Sequence, residues 1–398
     1  MASGQTLDEL RRVIRHIERR SRPLAKPEAI EKILGGEVIA NDDGALAVFR
    51  HDYALDHRHG RGGLGSATAV PPDLVRVLAR GDGALPDPRR FVFLDTETTG
   101  LAGGTGTYAF LVGAGYVEDD RFVVVQYFMR DLDEEAALLT ALVPLLERAS
   151  AIVSFNGSGF DVPLLETRFV LARRRWPTAL SHVDLLRPAR RVWGHALDDC
   201  RLSTLERTVL GVERGDDVPG AFIPSIYFTF LRSRQPAPLA RVLAHNRDDV
   251  LSLAALLGWL VEAHGRDRLT ASELAGLGAL WDGVDVERSL EHYRLALAAG
   301  LSGLAAHRVR LRLATWEKRR ERWEEACSLW ELAAATDVFD HRPWEELAKF
   351  HEHRRRDAAE ARVIVTRALT LAVAARASSG VVERLRYRLG RLERRLSR

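Results

Sequence analysis

The residues with the clearest chemistry in this chain are two carboxylates at the end of a hydrophobic run. Asp95 and Glu97 follow the run FVFL and are separated by one residue. Alternate side chains of a strand point to the same face, so the two carboxylates are expected to lie side by side and to repel each other. A bound cation would relieve that repulsion. The stretch FVFLDTETTG therefore predicts a metal site at the end of a strand.

Two further segments supply acidic residues beside predicted strands or helices. In FNGSGFD, Asn156 ends a strand and Asp161 opens the next helix, and in HNRDD, His245 and Asp249 are one turn apart on one helix face. Strand ends and a neighbouring helix of an α/β sheet can converge on one crevice. Carboxylate oxygens suit Mg²⁺ or Mn²⁺, so two such divalent cations are the predicted cofactors. The predicted metal ligands are Asp95, Glu97, Asp161 and Asp249.

An alternation of strands and helices must position these residues. Strand patterns cover residues 91–94, 108–117, 122–129, 151–155 and 182–186, and helix patterns cover residues 134–148 and 162–174, with further helices to about residue 264. Three antiparallel strands leading into parallel strand and helix units are typical of an α/β fold with a mixed sheet of the ribonuclease H type. This domain is predicted to span residues 89–265.

Residues 1–88 are predicted to be an N-terminal extension that contains a helix and a β-hairpin. The sequence NDDG separates the two strand-like runs of the hairpin. His57 and His59 follow it, and because no third ligand has suitable spacing we assign them to a solvated turn rather than to a metal site.

After residue 266 the strand pattern ends, and residues 266–398 are predicted to be entirely helical. Aromatic residues recur in first helices and alanines in second helices, at spacings of about 34 to 37 residues. This pattern resembles tetratricopeptide repeats, and an irregular helical bundle is the alternative. The recurring residues are Trp281, Trp316 and Phe350, and Ala296, Ala333 and Ala368.

Composition excludes several classes of protein. Hydrophobic residues make up 46% and charged residues 28% of the 398 residues, as in an ordinary globular protein, and the net charge is only +3. The charged N-terminus has no apolar signal region, and the longest apolar run is too short to cross a bilayer, so a cytoplasmic location is expected. Cys200 and Cys327 are too few for a disulfide framework or a cysteine zinc site.

Together, the three acidic segments resemble the motifs of DEDD-type 3′–5′ exonucleases. DTETTG resembles the first motif, NGSGFD matches the Asn-x-x-x-aromatic-Asp second motif, and HNRDD occupies the third position. With GLAGGTGTYAFLVG and DDVPG, the chain is most similar to the YprB-like predicted exonucleases, which are relatives of the proofreading domain of B-family polymerases. The resemblance implies hydrolysis of nucleic acid, DNA or RNA, from a 3′ end by two metal ions, with Asp95 bridging both.

The resemblance also implies a role for His245. Tyrosine-type members place a tyrosine four residues before the last aspartate and histidine-type members place a histidine five before it, whereas His245 lies four before Asp249. His245 is either the general base for the attacking water or a helix histidine that packs beside the site. The predicted substrate contacts are Thr96, Gly104, Thr105, Asn156 and Phe160.

Other interpretations of these residues remain open. The glycine-rich loop of residues 100–106 either brings backbone amides to a phosphate or simply makes a turn, and Asn156 either orients the attacking water or caps the helix at Asp161. Alternative functions are a structure-specific endonuclease and a non-catalytic scaffold that binds nucleic acid. A protein partner for the helical repeats is also predicted.

Overall fold

The computed structural model describes residues 29–79, 84–100, 106–176, 180–263, 269–336 and 338–397. The chain forms two compact units. The first lies within Met1–Ala189 and Asp199–Arg266, and the second within Arg190–Asp198 and Asp267–Arg398. Within the described ranges, no helix is both long enough and apolar enough to cross a lipid bilayer.

A seven-stranded mixed sheet forms the centre of the first unit. Its spatial order is β1-β2-β7-β6-β5-β8-β9. The pairs from β1 to β5 are antiparallel, and β5–β8 and β8–β9 are parallel. The predicted mixed sheet of an α/β ribonuclease H-like fold is therefore confirmed. The strands are β1 (Glu37–Asn41), β2 (Gly44–Ala54), β5 (Phe91–Thr98), β6 (Ala109–Glu118), β7 (Arg121–Phe128), β8 (Ala151–Ser154) and β9 (Ser181–Asp184).

The N-terminal hairpin is part of this sheet. β1 and β2 join at the predicted turn, where the Asp43 amide donates a 3.0 Å hydrogen bond to Asn41 Oδ1. β2 then pairs antiparallel with β7 over its last eight residues. The hairpin therefore extends the sheet on which the candidate site lies.

The short ladder of β3 (Arg58–His59) and β4 (Gly62–Gly63) corrects one prediction. The turn containing His59 was predicted to be solvated, but His59 is only partly exposed and its Nε2 lies 3.0 Å from the Ser252 hydroxyl. The approach is close because Gly62 has no side chain, since a Cβ there would lie 2.0 Å from the Ala255 carbonyl oxygen. The assignment holds only for His57, which is exposed.

Helices of the first unit cover the sheet and run past its strand ends. The long helix α8 is buried at every position from Val250 to Leu260, as expected for a helix in the centre of a unit. Tyr227 stacks on Phe110 with ring centroids 3.8 Å apart and is fully buried, which makes it a core aromatic. The helices are α1 (Ile30–Leu34), α2 (Pro72–Leu78), α3 (Glu135–Arg148), α4 (Asp161–Leu171), α5 (Leu186–Val192), α6 (Leu202–Leu205), α7 (Ile223–Ser233) and α8 (Leu239–Glu262).

All regular elements in the described part of the second unit are helical, as predicted. Trp281 and Trp316 lie in α9 and α11, and Phe350 follows α13 directly. The three recurring alanines lie in α10, α12 and α14, and each is at most 1% exposed. The helices are α9 (Ala271–Trp281), α10 (Val286–Ala298), α11 (Gly303–Arg319), α12 (Trp323–Ala334), α13 (His341–Lys349), α14 (Ala358–Ala374) and α15 (Ser379–Leu396).

Candidate metal centre

The end of β5 carries the first two carboxylates. Asp95 and Glu97 occupy alternate positions of this strand, and the pairing of β5 with β6 shifts register between Glu97 and Thr98. Such a bulge bends the strand locally and re-aims side chains. The four residues before Asp95 are buried, so the strand leaves the core at the point where its acidic residues begin.

Asp161 reaches the same strand from the first residue of α4. Its Oδ1 accepts hydrogen bonds from the Thr96 amide at 3.2 Å and from the Thr96 hydroxyl at 2.5 Å. Asp161 is thereby fixed beside Asp95 and Glu97. The hydroxyl of Thr96, a predicted substrate contact, orients a carboxylate in this structure.

Helix α8 brings the third segment to the site. Ligand atoms of Glu97, His245 and Asp249 all lie within 4.8 Å of one another. His245 Nε2 is 3.8 Å from Glu97 Oε1 and 3.6 Å from Asp249 Oδ2. These three side chains are 12% to 15% exposed, so they form a compact and largely buried set.

Asp95 and Asp161 are not members of that set, and their link to it is electrostatic. Burial and the charges of Asp249 and Asp161 raise the pKa of Asp95 well above its usual range. Burial and the charges of Asp95, Asp249 and Asp161 do the same to the pKa of Glu97. The pKa of Asp161 is also raised, chiefly by burial. The four carboxylates thus share one buried region, in which the charges of Asp95, Asp161 and Asp249 disfavour the ionisation of a neighbour.

A buried amide that the sequence analysis missed holds Asp95. Asn246 Nδ2 donates to Asp95 Oδ2 at 2.8 Å, and Asn246 Oδ1 accepts from Gln126 Nε2 at 2.9 Å. Asp95, Gly113 and Gln126 are direct neighbours across β5, β6 and β7. A Cβ on Gly113 would lie 2.3 Å from Asn246 Oδ1, so the glycine makes the space for the bridging amide.

Arg214 is a second residue that sequence reasoning missed. Its Nη2 donates to Asp249 Oδ1 and to Glu206 Oε1. Glu206 is only 2% exposed and also accepts a 2.5 Å hydrogen bond from the Ser252 hydroxyl. Burial raises the pKa of Glu206, against the opposing effect of Arg214. The Arg214 guanidinium therefore bridges Asp249 and the more deeply buried Glu206, which belongs to no predicted motif.

Asp217, from the DDVPG segment, contacts His245. Its Oδ1 lies 2.7 Å from His245 Nδ1. Burial raises the pKa of Asp217, but hydrogen bonding to His245 and the charges of His245 and Arg214 outweigh this effect and lower it. The segment had been noted only for its family resemblance, and no spacing rule connects Asp217 to a histidine 28 residues away.

The loop before Asp161 is held by Asp184, at the end of β9. Asp184 accepts hydrogen bonds from the Asn156 amide at 2.7 Å and the Ser158 hydroxyl at 2.5 Å. Asn156 has a left-handed φ of 64°. The N-cap position of α4 is occupied by Phe160, which makes no side-chain cap hydrogen bond, so the suggestion that Asn156 caps this helix is wrong.

The remaining predicted substrate contacts differ in accessibility. The Phe160 side chain is 59% exposed, next to Asp161. Gly104 and Thr105 lie outside the described residues.

The donor set fits divalent cations that prefer oxygen ligands. Four carboxylates share a largely buried region. Arg214 pairs with Asp249, and His245 lies within 4 Å of Glu97 and Asp249, so the described ion pairs include no arginine or lysine for Asp95, Glu97 or Asp161. Concentrated buried negative charge of this kind is stabilised by a divalent ion. The arrangement is therefore chemically suited to metal binding.

Comparison with known proteins supports this assignment. The sequence profile of the RNase_H superfamily matches residues 92–261, which include all four carboxylates and His245. The uncharacterized protein YprB of Bacillus subtilis (strain 168) is 34% identical over 361 residues, which cover 87% of this chain and 85% of that protein. The chain belongs to the YprB family.

Membership of the YprB family and the ribonuclease H-like domain together explain the position of the acidic cluster. The matched residues begin in β5 and end in α8, the two elements that carry Asp95, Glu97 and Asp249. The RNase_H superfamily consists mainly of metal-dependent nucleases, and this YprB family chain carries a carboxylate and histidine group suited to such chemistry.

Proposed function

We propose that this chain is a metal-dependent 3′–5′ exonuclease that hydrolyses phosphodiester bonds of single-stranded nucleic acid. The observation that carries the proposal is the convergence of acidic side chains from three separate segments. Asp161 is hydrogen-bonded to Thr96, between Asp95 and Glu97, and ligand atoms of Glu97, His245 and Asp249 lie within 4.8 Å of one another. Such a cluster opposes a polyanionic substrate unless cations fill it, so binding alone would not favour it. The 3′–5′ direction rests on the resemblance of the three acidic motifs to DEDD-type exonucleases.

Two Mg²⁺ or Mn²⁺ ions would be held by Asp95, Glu97, Asp161 and Asp249. When bound, such ions polarise the scissile phosphate and balance the charge that develops on its oxygens. The protein contributes the orientation of its ligands, through Thr96 for Asp161 and Asn246 for Asp95. Ligands that are fixed before substrate arrives lose little freedom during the reaction.

His245 is proposed to be the general base. Asp217 accepts a hydrogen bond from Nδ1–H, which leaves Nε2 as the proton acceptor. Nε2 faces Glu97 and Asp249, so it lies on the side of the ring where the attacking water would bind. In this role, Nε2 takes a proton from that water as the water oxygen bonds to phosphorus. The bond from phosphorus to the 3′ oxygen of the preceding nucleotide breaks, and that oxygen takes up a proton from solvent.

Substrate contacts are proposed for Thr96, Gly104, Thr105, Asn156 and Phe160. Support is strongest for Phe160, because an exposed aromatic ring beside a proposed metal ligand can stack on a base. We also propose domain boundaries at residues 88 and 265 and a tetratricopeptide-like character for residues 266–398. The alternation of aromatic positions, buried at Trp281 and Phe350 and partly buried at Trp316, with buried alanines along α9 to α14 supports that character.

The test compares two labelled substrates in the presence of Mn²⁺. An exonuclease releases mononucleotides from a 3′-labelled linear single strand and leaves a circular single strand intact, whereas an endonuclease opens the circle. Asp95→Ala is expected to abolish cleavage and to weaken Mn²⁺ binding measured by calorimetry. Removal of one of several repelling carboxylates should leave the metal-free protein at least as heat-stable as before.

Asp120→Ala is the matched control, because Asp120 is an exposed aspartate in the β6–β7 turn. It should bind Mn²⁺ and cleave as the unmodified chain does. Full activity of Asp95→Ala would reject the metal assignment, and cleavage of circular substrate would replace the exonuclease with an endonuclease. Metal binding without cleavage of any strand would favour the non-catalytic alternative.

A further inference from the structure

The helical unit contains two adjoining cavities along α11. The first has a volume of about 490 Å³ and the second about 680 Å³. Leu304 and Arg308, both in α11, line each of them. The cavities therefore form one groove, which we call the α11 groove.

Arginine dominates the polar lining of the α11 groove. Arg191, Arg308 and Arg312 line the first cavity, where the acidic residue among the described lining residues is Asp282. Asp282 is paired with Arg312 at 3.0 Å, so the charges of Arg191 and Arg308 are not balanced by the lining. The groove thus has an excess of positive charge.

The second cavity adds no net charge of its own, because Arg342 pairs with Asp340 at 2.6 Å and both residues line it. Arg308 is exposed and lines both cavities. Arg308 therefore projects its charge into the part of the groove that both cavities share.

Charge is distributed unequally along the chain, with the excess of positive charge after residue 266. Residues 1–266, which carry the acidic cluster, contain 33 Lys and Arg against 35 Asp and Glu, whereas residues 267–398 contain 25 against 20. A nuclease region with an acidic excess attracts a polyanion weakly. A basic groove elsewhere in the protein supplies that attraction through phosphate contacts.

We propose that the α11 groove binds a single strand of nucleic acid through its phosphates. The proposal rests on the proposed function, because it assigns to the helical unit the capture of the strand that the acidic cluster would cleave. Arg308 lines both cavities and Arg191 lines the first, so their guanidinium groups can bind phosphates of the strand with parallel N–H donors. Leu304, 55% exposed between the cavities, offers an apolar surface to the bases.

Binding and catalysis are tested separately on the full chain. Fluorescence anisotropy of labelled oligothymidylate and oligouridylate is measured in EDTA, so that cleavage does not interfere, at salt concentrations from about 50 to 200 mM. Arg308→Glu is expected to weaken binding about tenfold and to reduce the salt dependence by about one ion. Arg308→Lys, which keeps the charge, should retain most of the affinity.

Arg362→Glu is the matched control, because Arg362 is an exposed arginine of α14 that lines neither cavity. It should bind as the unmodified chain does. Thermal melting of both glutamate variants shows whether each is folded. If folded Arg308→Glu binds both oligonucleotides as tightly as Arg362→Glu, the groove does not bind nucleic acid.

A one-nucleotide substrate separates the two proposals. Mn²⁺-dependent hydrolysis of a nitrophenyl ester of thymidine monophosphate should be equal in the unmodified chain and in Arg308→Glu. One outcome would be that Arg308→Glu loses oligonucleotide binding while the unmodified chain hydrolyses no substrate. That outcome would refute the proposed function and leave the groove assignment standing. Displacement of the oligonucleotide by polyglutamate at equal charge concentration would overturn the groove proposal in favour of an acidic protein partner.

Discussion

His245 lies between Asp217 and the acidic cluster. Its Nδ1 is 2.7 Å from Asp217 Oδ1, and its Nε2 is 3.8 Å from Glu97 Oε1. A carboxylate on one ring nitrogen fixes the tautomer and the ring orientation, which decides what the other nitrogen can do. Asp217 therefore determines how His245 presents Nε2 to the site.

Replacement of this carboxylate is expected to slow the reaction without removing the metal. Asp217→Asn should lower kcat about tenfold and leave KM and Mn²⁺ affinity nearly unchanged, because the imidazole loses its preferred tautomer while all four metal ligands remain. Steady-state kinetics and calorimetry measure the two effects, and nitrogen chemical shifts of the ring report the tautomer.

The neighbouring Asp216 provides the control. It is 85% exposed and pairs with Arg241 rather than with His245. Asp216→Asn should behave as the unmodified chain does. Equal kcat values for Asp216→Asn and Asp217→Asn would show that Asp217 has no part in positioning His245.

Gly113→Ala is expected to disrupt the bridge from Gln126 to Asp95. The added methyl group would lie 2.3 Å from Asn246 Oδ1, so the amide must move away from Asp95 or α8 must move away from the sheet. Overpacking of this kind costs about 1 to 3 kcal/mol, which thermal or urea unfolding would detect. Mn²⁺ affinity should fall as well, because Asp95 loses its hydrogen-bond donor.

Gly220→Ala is the comparison for this variant, since nothing lies within 4 Å of an added Cβ at that position. It should unfold close to the unmodified chain. A Gly113→Ala protein with unchanged stability and Mn²⁺ affinity would mean that the Asn246 amide is not held in a tight slot.

Loss of Arg214 should destabilise the fold more than loss of an exposed arginine. Arg214→Met leaves Glu206 buried without its cation, and breaking a buried pair costs about 3 to 5 kcal/mol. The double variant with Glu206→Met should recover part of that free energy, because apolar side chains of similar size replace the Arg214 and Glu206 charges, while Asp249 still lacks its guanidinium partner. Urea unfolding of the two single variants and the double variant gives the coupling.

Arg241→Met is the control for this cycle. Arg241 pairs with the largely exposed Asp216, and exposed pairs contribute little to stability. If Arg214→Met were no more destabilising than Arg241→Met, the buried pair would not support the fold.

His59 predicts a loss of stability in mild acid. Burial is the main reason why the pKa of His59 is lowered to about 4. The charge of Asp248 raises this pKa, and the charges of Arg214, His57 and Arg247 lower it. The unfolded chain binds this proton near pH 6.5 and the folded chain near pH 4. The free energy of unfolding should therefore fall as pH decreases through this window, by at most about 3 kcal/mol.

The measurement compares the unmodified chain with His59→Gln in urea unfolding at several pH values. Glutamine can still hydrogen-bond Ser252 but does not titrate, so the variant should lose less stability between pH 6.5 and 4. Parallel pH curves for the two proteins would show that His59 does not contribute to the acid sensitivity.

Much of the architecture could be predicted because it depends on local patterns. The continuous apolar run FVFL predicted the strand before Asp95, and helical periodicity placed His245 and Asp249 on one face of α8. The order of the acidic motifs allowed the four carboxylates to be chosen before any coordinates were known. These features follow from short-range spacing, which a sequence displays directly.

The sequence by itself determined which side chains carry charge at the candidate site. Only the tertiary structure decided which other residues support them, because Gly113, Arg214 and Asp217 lie on other elements and resemble ordinary turn or strand residues when read in order. The tertiary structure also places His59 beside the Ser252 hydroxyl rather than in the predicted solvated turn. The close approach of β4 to α8 depends on packing between segments almost 200 residues apart. Hydrogen bonding and burial are properties of position in space, and residue spacing along the chain does not specify them.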